Sequence, residues 1–308
     1  MVLPFAYISY GTGTKLFAKG WYFMNNYVIV TDSGSDLSES ERKNLGITSL
    51  PLSVTMDGDE REDYAFSPNE FYKLMRGGAV AKTSAVNYQS FLDKFRSIAS
   101  RGYDALYIGL SSGISSTYAS AKAAADRIKK EMPERNIIAL DSKCASAGLG
   151  LLVHLIAKKK SEGIELNEAF EYAHSLAPKI CHQFTVDDLA YLRRGGRISA
   201  ASAFFGNALG IKPLFHVDNG GFLKATDKAR GRRAAIESLA DSFITHGGER
   251  HSEDIFISHA DSKRDAELLS DTLFERYGRR AKTFDIGAVI GAHAGPGTLA
   301  LFFIGDMR

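Results

Sequence analysis

Ile108-Gly-Leu-Ser-Ser-Gly-Ile-Ser-Ser-Thr-Tyr-Ala-Ser-Ala121 is the stretch on which the reading of this chain turns. It starts as the end of an apolar run, Ala105 to Leu110, passes through a loop of Ser and Gly, and enters an Ala-rich segment that continues to about Lys130. That order is strand, polar turn, helix. In an open α/β sheet such a junction lies at the carboxyl edge, where ligands bind. Ser111, Ser112, Ser115, Ser116 and Thr117 place five hydroxyls in seven positions. A helix starting there adds unpaired backbone N–H groups and the positive end of its dipole. The set suits an anion, phosphate or carboxylate. One Ser is enough to cap a helix, so five favour an anion site over capping alone.

Composition sets the outer bounds. The 308 residues favour two domains and leave ample core. With 44% hydrophobic and 24% charged residues the chain has ordinary globular composition. A net charge of +2 gives no sign of a nucleic-acid partner. Cys144 and Cys181 form no CxxC and no metal spacing, which suits a reduced, cytoplasmic protein. The eight histidines show no HExxH or HxH pattern, so no metal site and no cofactor is expected. No apolar run approaches the roughly 20 residues that span a bilayer, so no stable membrane insertion is expected. Residues 1–24 read as an N-terminal extension: Met1 to Phe23 is aromatic and Gly-interrupted, a poor signal peptide, and Met24 opens Met-Asn-Asn-Tyr-Val-Ile-Val like a natural start.

Around the organising loop the chain alternates strand and helix. Tyr27 to Thr31 is a buried strand, Asp32-Ser-Gly-Ser-Asp36 a turn, and Ser38 to Leu45 a helix with a Ser38/Glu41 capping box. Asp32 and Ser33 are candidates to face the same cleft as the Ser-rich loop; simple turn chemistry is the other reading. Thr48 to Met56 is expected as one strand, Asp57-Gly58-Asp59 as a hairpin turn and Glu62 to Ala65 as the return, a small β insertion near 50–65. A helix opens at Ser67-Pro68 and runs to Met75. Thr83 and Ser84 are placed in a connector before a helix from Tyr88 to Ser100, where capping and ligand contact stand level. Asn136 to Leu140 is a strand, followed by Asp141-Ser142 and a helix from Ala147 to Lys160. The alternation argues a parallel sheet flanked by helices, an α/β domain over 25–176.

From 177 to 308 the order mixes. A strand is expected at Gln183 to Val186, helices at Asp187 to Arg194 and Ala200 to Leu209, and a hairpin of Ile211–Val217 with Phe222–Ala225. A helix at Arg232 to Ile244, a strand at Asp254 to Ser258, a helix at Lys263 to Tyr277 and strands at Lys282 to Ile286 and Thr298 to Ile304 complete an α+β domain. The ligand cleft is expected between the two domains.

Two other functional readings are open from residues alone. Ser115, Asp141 and His293 come in the chain order of an α/β-hydrolase esterase. Against it, Gly113-Ile-Ser-Ser-Thr117 lacks the second Gly of a nucleophile elbow. Lys224, Lys228, Arg230, Arg232 and Arg233 form a basic stretch, but without the aromatic residues that stack bases.

Taken together, the motifs resemble the DegV family of fatty-acid-binding proteins from about Met24 to Met307. They are Thr31-Asp-Ser with Asp36-Leu37, Lys82-Thr-Ser84, Ser111-Ser-Gly-Ile-Ser-Ser-Thr-Tyr118 and Asp141-Ser142 in the first half. In the second half they are Leu189-Ala-Tyr-Leu-Arg-Arg-Gly-Gly-Arg-Ile198, Ile211-Lys-Pro213, Lys228-Ala-Arg-Gly231 and Gly291-Ala-His-Ala-Gly-Pro-Gly-Thr298. The resemblance implies a non-catalytic bacterial carrier with one long-chain fatty acid between two domains, its carboxylate on Thr83, Ser115 and His293. Ser84, Ser116, Asp32 and Ser33 are secondary contacts on this reading. It also implies a separate fatty acid kinase subunit as partner, with Arg197 tied to phosphoryl transfer; for such a partner Arg230 and Arg232 of the basic stretch are expected as docking residues. The chain departs from the family where Ala85-Val86 replaces Gln-Pro after Thr-Ser, and where Ser116 replaces a Gly.

Overall fold

The computed structural model describes residues 27–198, 210–306 and 308. The N-terminal extension and the helix expected at Ala200–Leu209 lie outside these residues. The strands, in chain order, are β1 (Tyr27–Asp32), β2 (Ile47–Leu50), β3 (Ser53–Met56), β4 (Asp59–Glu62), β5 (Ala81–Ser84), β6 (Asp104–Gly109), β7 (Ile137–Asp141), β8 (Ile180–Thr185), β9 (Ile211–Val217), β10 (Leu223–Arg230), β11 (Phe256–His259), β12 (Lys282–Asp285) and β13 (Leu299–Ile304).

They build three sheets. The first is parallel, in the order β2-β1-β6-β7, with Ile29 opposite Ile47, Val28 opposite Ala105 and Ile108 opposite Leu140. Helices Tyr88–Ser100 and Thr117–Glu131 pack together against it, as do Ser146–Ser161 and Leu166–Leu176. The strand order reverses between β1 and β6, so the turns after these two strands border the crevice where such sheets bind ligands. The second sheet is mixed, in the order β10-β9-β8-β13-β11-β12. Only β11 and β12 pair in parallel there. The third is an antiparallel insert, β4-β3-β5. A parallel-sheet α/β domain thus stands beside a mixed-sheet domain.

The helix Ser146–Ser161 joins the two. Its stretch Ala147-Gly-Leu-Gly-Leu-Leu-Val153 is buried throughout. A helix apolar all round has no face to offer water, and this one packs on β1 and β6 of one sheet and on β8, β11 and β13 of the other. Its small residues set the spacing. A Cβ at Gly150 would stand 2.6 Å from the carbonyl oxygen of Ser35, and one at Gly148 would stand 2.3 Å from Nε2 of His182. On β13 the pleat splits the core: Ala300 and Phe302 face the cluster shared with the first domain, while Leu299, Leu301 and Phe303 join Phe243, Leu269 and Leu273 on the far side. Arg308 fastens the seam, donating to the carbonyl oxygens of Lys143 (2.6 Å), Ala177 (2.6 Å) and Ile180 (3.1 Å).

Four expectations are corrected. Thr48–Met56 is not one strand. Pro51 cannot donate to a ladder, and at Pro51-Leu52 the chain leaves the parallel sheet and enters the insert. The hairpin return is Asp59–Glu62 rather than Glu62–Ala65, because Asp63 turns inward and starts a 3-10 turn over Asp63–Ala65. Thr83 and Ser84 belong to strand β5, not to a connector; Val54 stands opposite Thr83. Strand β10 runs on to Arg230, with a register shift between Ala225 and Asp227.

The close packing of the joining helix has a measurable consequence. Gly150→Ala should lower the unfolding free energy by about 1–3 kcal/mol through overpacking, even though Ala favours helix by about 1 kcal/mol over Gly. Urea unfolding followed by circular dichroism checks it. A variant as stable as wild type would show that the helix can back away from the Ser35 carbonyl.

Candidate functional site

A cavity lies where the domains meet, lined from the first by Leu110, Ile114, Ser115 and Ser116, from the insert by Thr83, and from the second by Phe184, Arg197 and His293 among others. It encloses about 220 Å³, against about 10–15 Å³ for one trapped water, which is room for far more than a single water. Most of its wall is apolar, with Leu52, Leu192, Val217, Leu223, Val289 and Ile290 contributing.

The polar groups gather around His293, in the last turn of helix Ala288–Ala294. Thr83 reaches it from β5: Oγ1 stands 2.7 Å from His293 Nε2. Strand alternation that turns Thr83 inward leaves Lys82 and Ser84 exposed, and Ser84 does not line the cavity. Nδ1 of His293 is buried with no hydrogen-bond partner. It faces Gly195, where a Cβ would come within 2.2 Å, so the Gly195-Gly196 turn lies directly against the ring. Burial first, and the nearby Arg197 second, push the imidazole down to about 4. It is therefore neutral at pH 7, one nitrogen donating and the other accepting.

Arg197 also lines the cavity, but its Nε donates to the Ile114 carbonyl at 3.1 Å and Nη1 donates to the carbonyl of Gly195. It ties the turn of the second domain to the Ser-rich loop of the first. Burial lowers its pKa.

The five hydroxyls of that loop divide. Ser111 is buried and donates to Gly221 O across the domain boundary (2.9 Å). Ser112 accepts from Lys143 (2.6 Å), which also pairs with Asp141 (2.7 Å). Thr117 is buried in the first helical turn. Ser115 and Ser116 line the cavity. Ser115 Oγ accepts from Thr117 N (3.2 Å) and lies 2.9 Å from Thr117 Oγ1. It thus takes a first-turn N–H of the helix and shares a hydroxyl hydrogen bond with Thr117.

Asp32 and Ser33 do not line the cavity. Asp32 is fully buried and accepts from Gly34 N (3.0 Å), Tyr107 Oη (2.6 Å) and Leu110 N (2.9 Å). Burial raises its pKa and these donors pull the other way. Ser33 accepts from Leu52 N at 3.0 Å. Both shape the turn after β1. Arg230 is exposed at the end of β10, while Arg232 pairs with Asp265 (2.8 Å) and Asp187 (3.5 Å). Arg233 pairs with Glu237. The basic stretch is thereby partly neutralised. No esterase relay forms: Ser115 meets Thr117, His293 has no carboxylate on Nδ1, and Asp141 serves Ser112 and Lys143. Among the described residues no group of His, Cys, Asp and Glu is placed to hold a metal ion, and no helix is long and apolar enough to cross a membrane.

Several lining residues carry no signal in the sequence, and His182 is the most unexpected of them. His182 on β8 is buried at the cavity wall, with Nδ1 donating to Ile180 O (2.8 Å) and Nε2 accepting from Ala145 N (3.2 Å). Burial holds its pKa well below the usual value, so it serves as a neutral wall packed edge-on to Phe302, ring centroids 5.3 Å apart. A lone histidine in the strand Ile-Cys-His-Gln-Phe-Thr gave no signal of this.

Comparison with known proteins places the chain in a family. The family model described as an uncharacterised protein of the DegV family matches residues 26–306. A DegV domain-containing protein of Clostridium perfringens is 37% identical over 92% of this chain and 99% of its own. One from Streptococcus pyogenes is 33% identical over 91% and 98%. Among solved structures, the DegV family protein of Thermus thermophilus, reported for fatty acid binding, has a TM-score of 0.81 at 29% identity, covering 91% of this chain and 99% of its own. DegV of Bacillus subtilis, a fatty acid binding protein, has a TM-score of 0.81 at 26% identity with the same coverage. With its two-domain architecture, its motifs and nearly its whole length matched, the chain belongs to the DegV family.

Proposed function

We propose that this protein binds a long-chain fatty acid between its two domains, with the carboxylate on Thr83, Ser115 and His293. The observation that carries the reading is an apolar cavity whose hydroxyl and imidazole groups cluster at one place. Each methylene moved from water into such a cavity gains about 0.8 kcal/mol. The carboxylate must be hydrogen-bonded or that gain is lost. Thr83 and Ser115 are short neutral donors, and His293 can donate from whichever nitrogen carries the proton. The Thermus and Bacillus relatives are described as binding fatty acids, which supports the same ligand class here.

The tail has a direction on this reading. Thr298 donates to Ala294 O, next to His293. Thr298, just before β13, and Ala300 and Phe302 within it then line the cavity at alternate positions, an advance of about 13 Å. Phe302 and His182 stand at the far end.

The finer part of the proposal is a role as carrier rather than catalyst. The bound acid would be presented, in the bacterial cytoplasm, to a separate kinase subunit that makes acyl phosphate. Arg197 stands beside the headgroup cluster, where a guanidinium can offset charge that accumulates in phosphoryl transfer. Arg230 is free to dock a partner's acidic surface; Arg232, already paired with Asp265, contributes less.

Solvent extraction and mass spectrometry of the purified protein should return a long-chain fatty acid. Thr83→Ala and His293→Ala should each weaken its binding by about 1.5–3 kcal/mol, the loss of one hydrogen bond to a charged acceptor. Wild-type affinity in both variants would overturn the headgroup assignment.

The His293 imidazole should stay neutral from pH 7 down to about 4, as followed by NMR of labelled histidine. The sign follows from its depressed pKa. Between the ordinary value and about 4 the unfolded chain binds the proton and the folded one does not, so acidification through this window lowers stability. Titration near 6.5 would place the ring in water.

Arg197→Ala should retain bound fatty acid yet lose acyl phosphate formation with a cognate kinase. Normal product yield from a folded Arg197→Ala protein would assign the residue to tying Ile114 to Gly195 alone.

A further inference from the structure

Helix Ala288–Ala294 carries His293 but has little to hold it in place by itself. It has seven residues, one of them Gly291, and its first residue follows Gly287, which offers no side-chain cap. A helix this short does not persist on its own, and its first backbone N–H groups need acceptors. Those acceptors come from the other domain. Asp63, 4% exposed, takes Val289 N at 3.0 Å and also accepts from Ala288 N. Asp36 takes Gly287 N at 2.9 Å.

Asp63 belongs to the insert, directly after β4. The same insert touches the helix twice more. Tyr72, 1% exposed, donates to Ile286 O at 2.8 Å, and a Cβ on Gly291 would come within 2.3 Å of its hydroxyl oxygen. Thr83, at the insert's other end, meets His293 Nε2 at 2.7 Å. The insert therefore grips the helix at its start, its middle and its last turn. One of these grips is the headgroup contact itself.

We propose that Asp63 and Tyr72 are positioning residues for the headgroup site: by fixing the start and middle of helix Ala288–Ala294 they set where the His293 imidazole stands against Thr83, and so set the preference for a carboxylic acid over a neutral headgroup on the same chain. The proposal rests on the fatty-acid reading above. It adds that selectivity for the acid is governed from residues that do not touch the ligand.

The test compares dissociation constants of delipidated full-length protein for hexadecanoic acid and for hexadecanol, by titration calorimetry. The readout is the ratio of the two, which a general loss of stability would not move. Asp63→Ala should cut the preference for the acid by about fivefold or more, the worth of one misplaced hydrogen bond, with hexadecanol affinity unchanged. Asp63→Asn should keep the preference, because the amide oxygen still accepts from Val289 N–H. Gly291→Ala removes no polar group and only forces the helix off Tyr72; it should reduce the ratio in the same direction, and it decides the matter should Asp63→Ala fail to fold. A wild-type ratio in folded Asp63→Ala, or in Gly291→Ala if that is the variant that folds, overturns the proposal. Wild-type protein that binds neither molecule overturns the fatty-acid reading itself, and this inference with it.

Discussion

A helix shared by two sheets leaves no room for error in its width. The first half of helix Ser146–Ser161, Ser146 to Val153, is buried, and the helix packs on the parallel sheet on one side and the mixed sheet on the other. Two glycines let the Ser35 carbonyl and the His182 ring approach its axis. Interiors of this density respond to a single methylene, so the distance between the domains is fixed by these small residues. The cavity is a consequence. The helix keeps the sheets apart, and at its N-terminal end the turn after β6 faces β8, β13 and helix Ala288–Ala294 across a gap.

The few polar groups that face that gap carry little free charge. His293 is held neutral by burial and by Arg197, and the guanidinium of Arg197 donates to two carbonyl oxygens. A site of neutral donors binds an anion less tightly than an ion pair would, and it avoids the desolvation of a second charge. On the proposed fatty-acid reading such a balance suits cargo that is handed on, with tail burial supplying the affinity and the headgroup contacts the orientation.

Much of this was legible in the sequence, for reasons that differ by element. Tyr88–Ser100 and Lys263–Tyr277 were placed to the residue, because apolar periodicity and local caps determine such helices. The hairpin at Asp57-Gly58 was legible because both residues adopt positive φ, which that dipeptide favours. Thr48–Met56 was misread because its residues are uniformly strand-like, and only Pro51 marks the change of sheet. Helix Ala288–Ala294 was invisible within a Gly-rich run, since its stability comes from Asp36, Asp63 and Tyr72, more than two hundred residues away in sequence. Thr83, Ser115 and His293 were expected through family resemblance; all three line the cavity, and Thr83 and His293 meet there. Asp32 and Ser33 show the same residue types, but nothing local reveals that Tyr107 and the Leu110 and Leu52 amides already occupy them.

That last contrast gives a general way to separate ligand-facing groups from structural ones. Around the cavity, most polar side chains are fully engaged by the protein itself. Asp32 accepts three donors, Ser111 bridges to Gly221, His182 uses both ring nitrogens, and Thr298 donates back to its own turn. Leaving a buried donor or acceptor unmatched costs about 1–3 kcal/mol, so a fold keeps such a group only where something else compensates. His293 Nδ1 is such a group, buried and without a partner, and its other nitrogen shares a hydrogen bond with a Thr that has capacity to spare. The glycine at position 195, which keeps the chain against that nitrogen, leaves it no polar side chain to meet. The unmet hydrogen-bonding capacity therefore concentrates on the His293–Thr83 pair, and the residues that place this pair, Asp63 and Tyr72 foremost, lie outside the cavity, where a search confined to ligand contacts would pass them over.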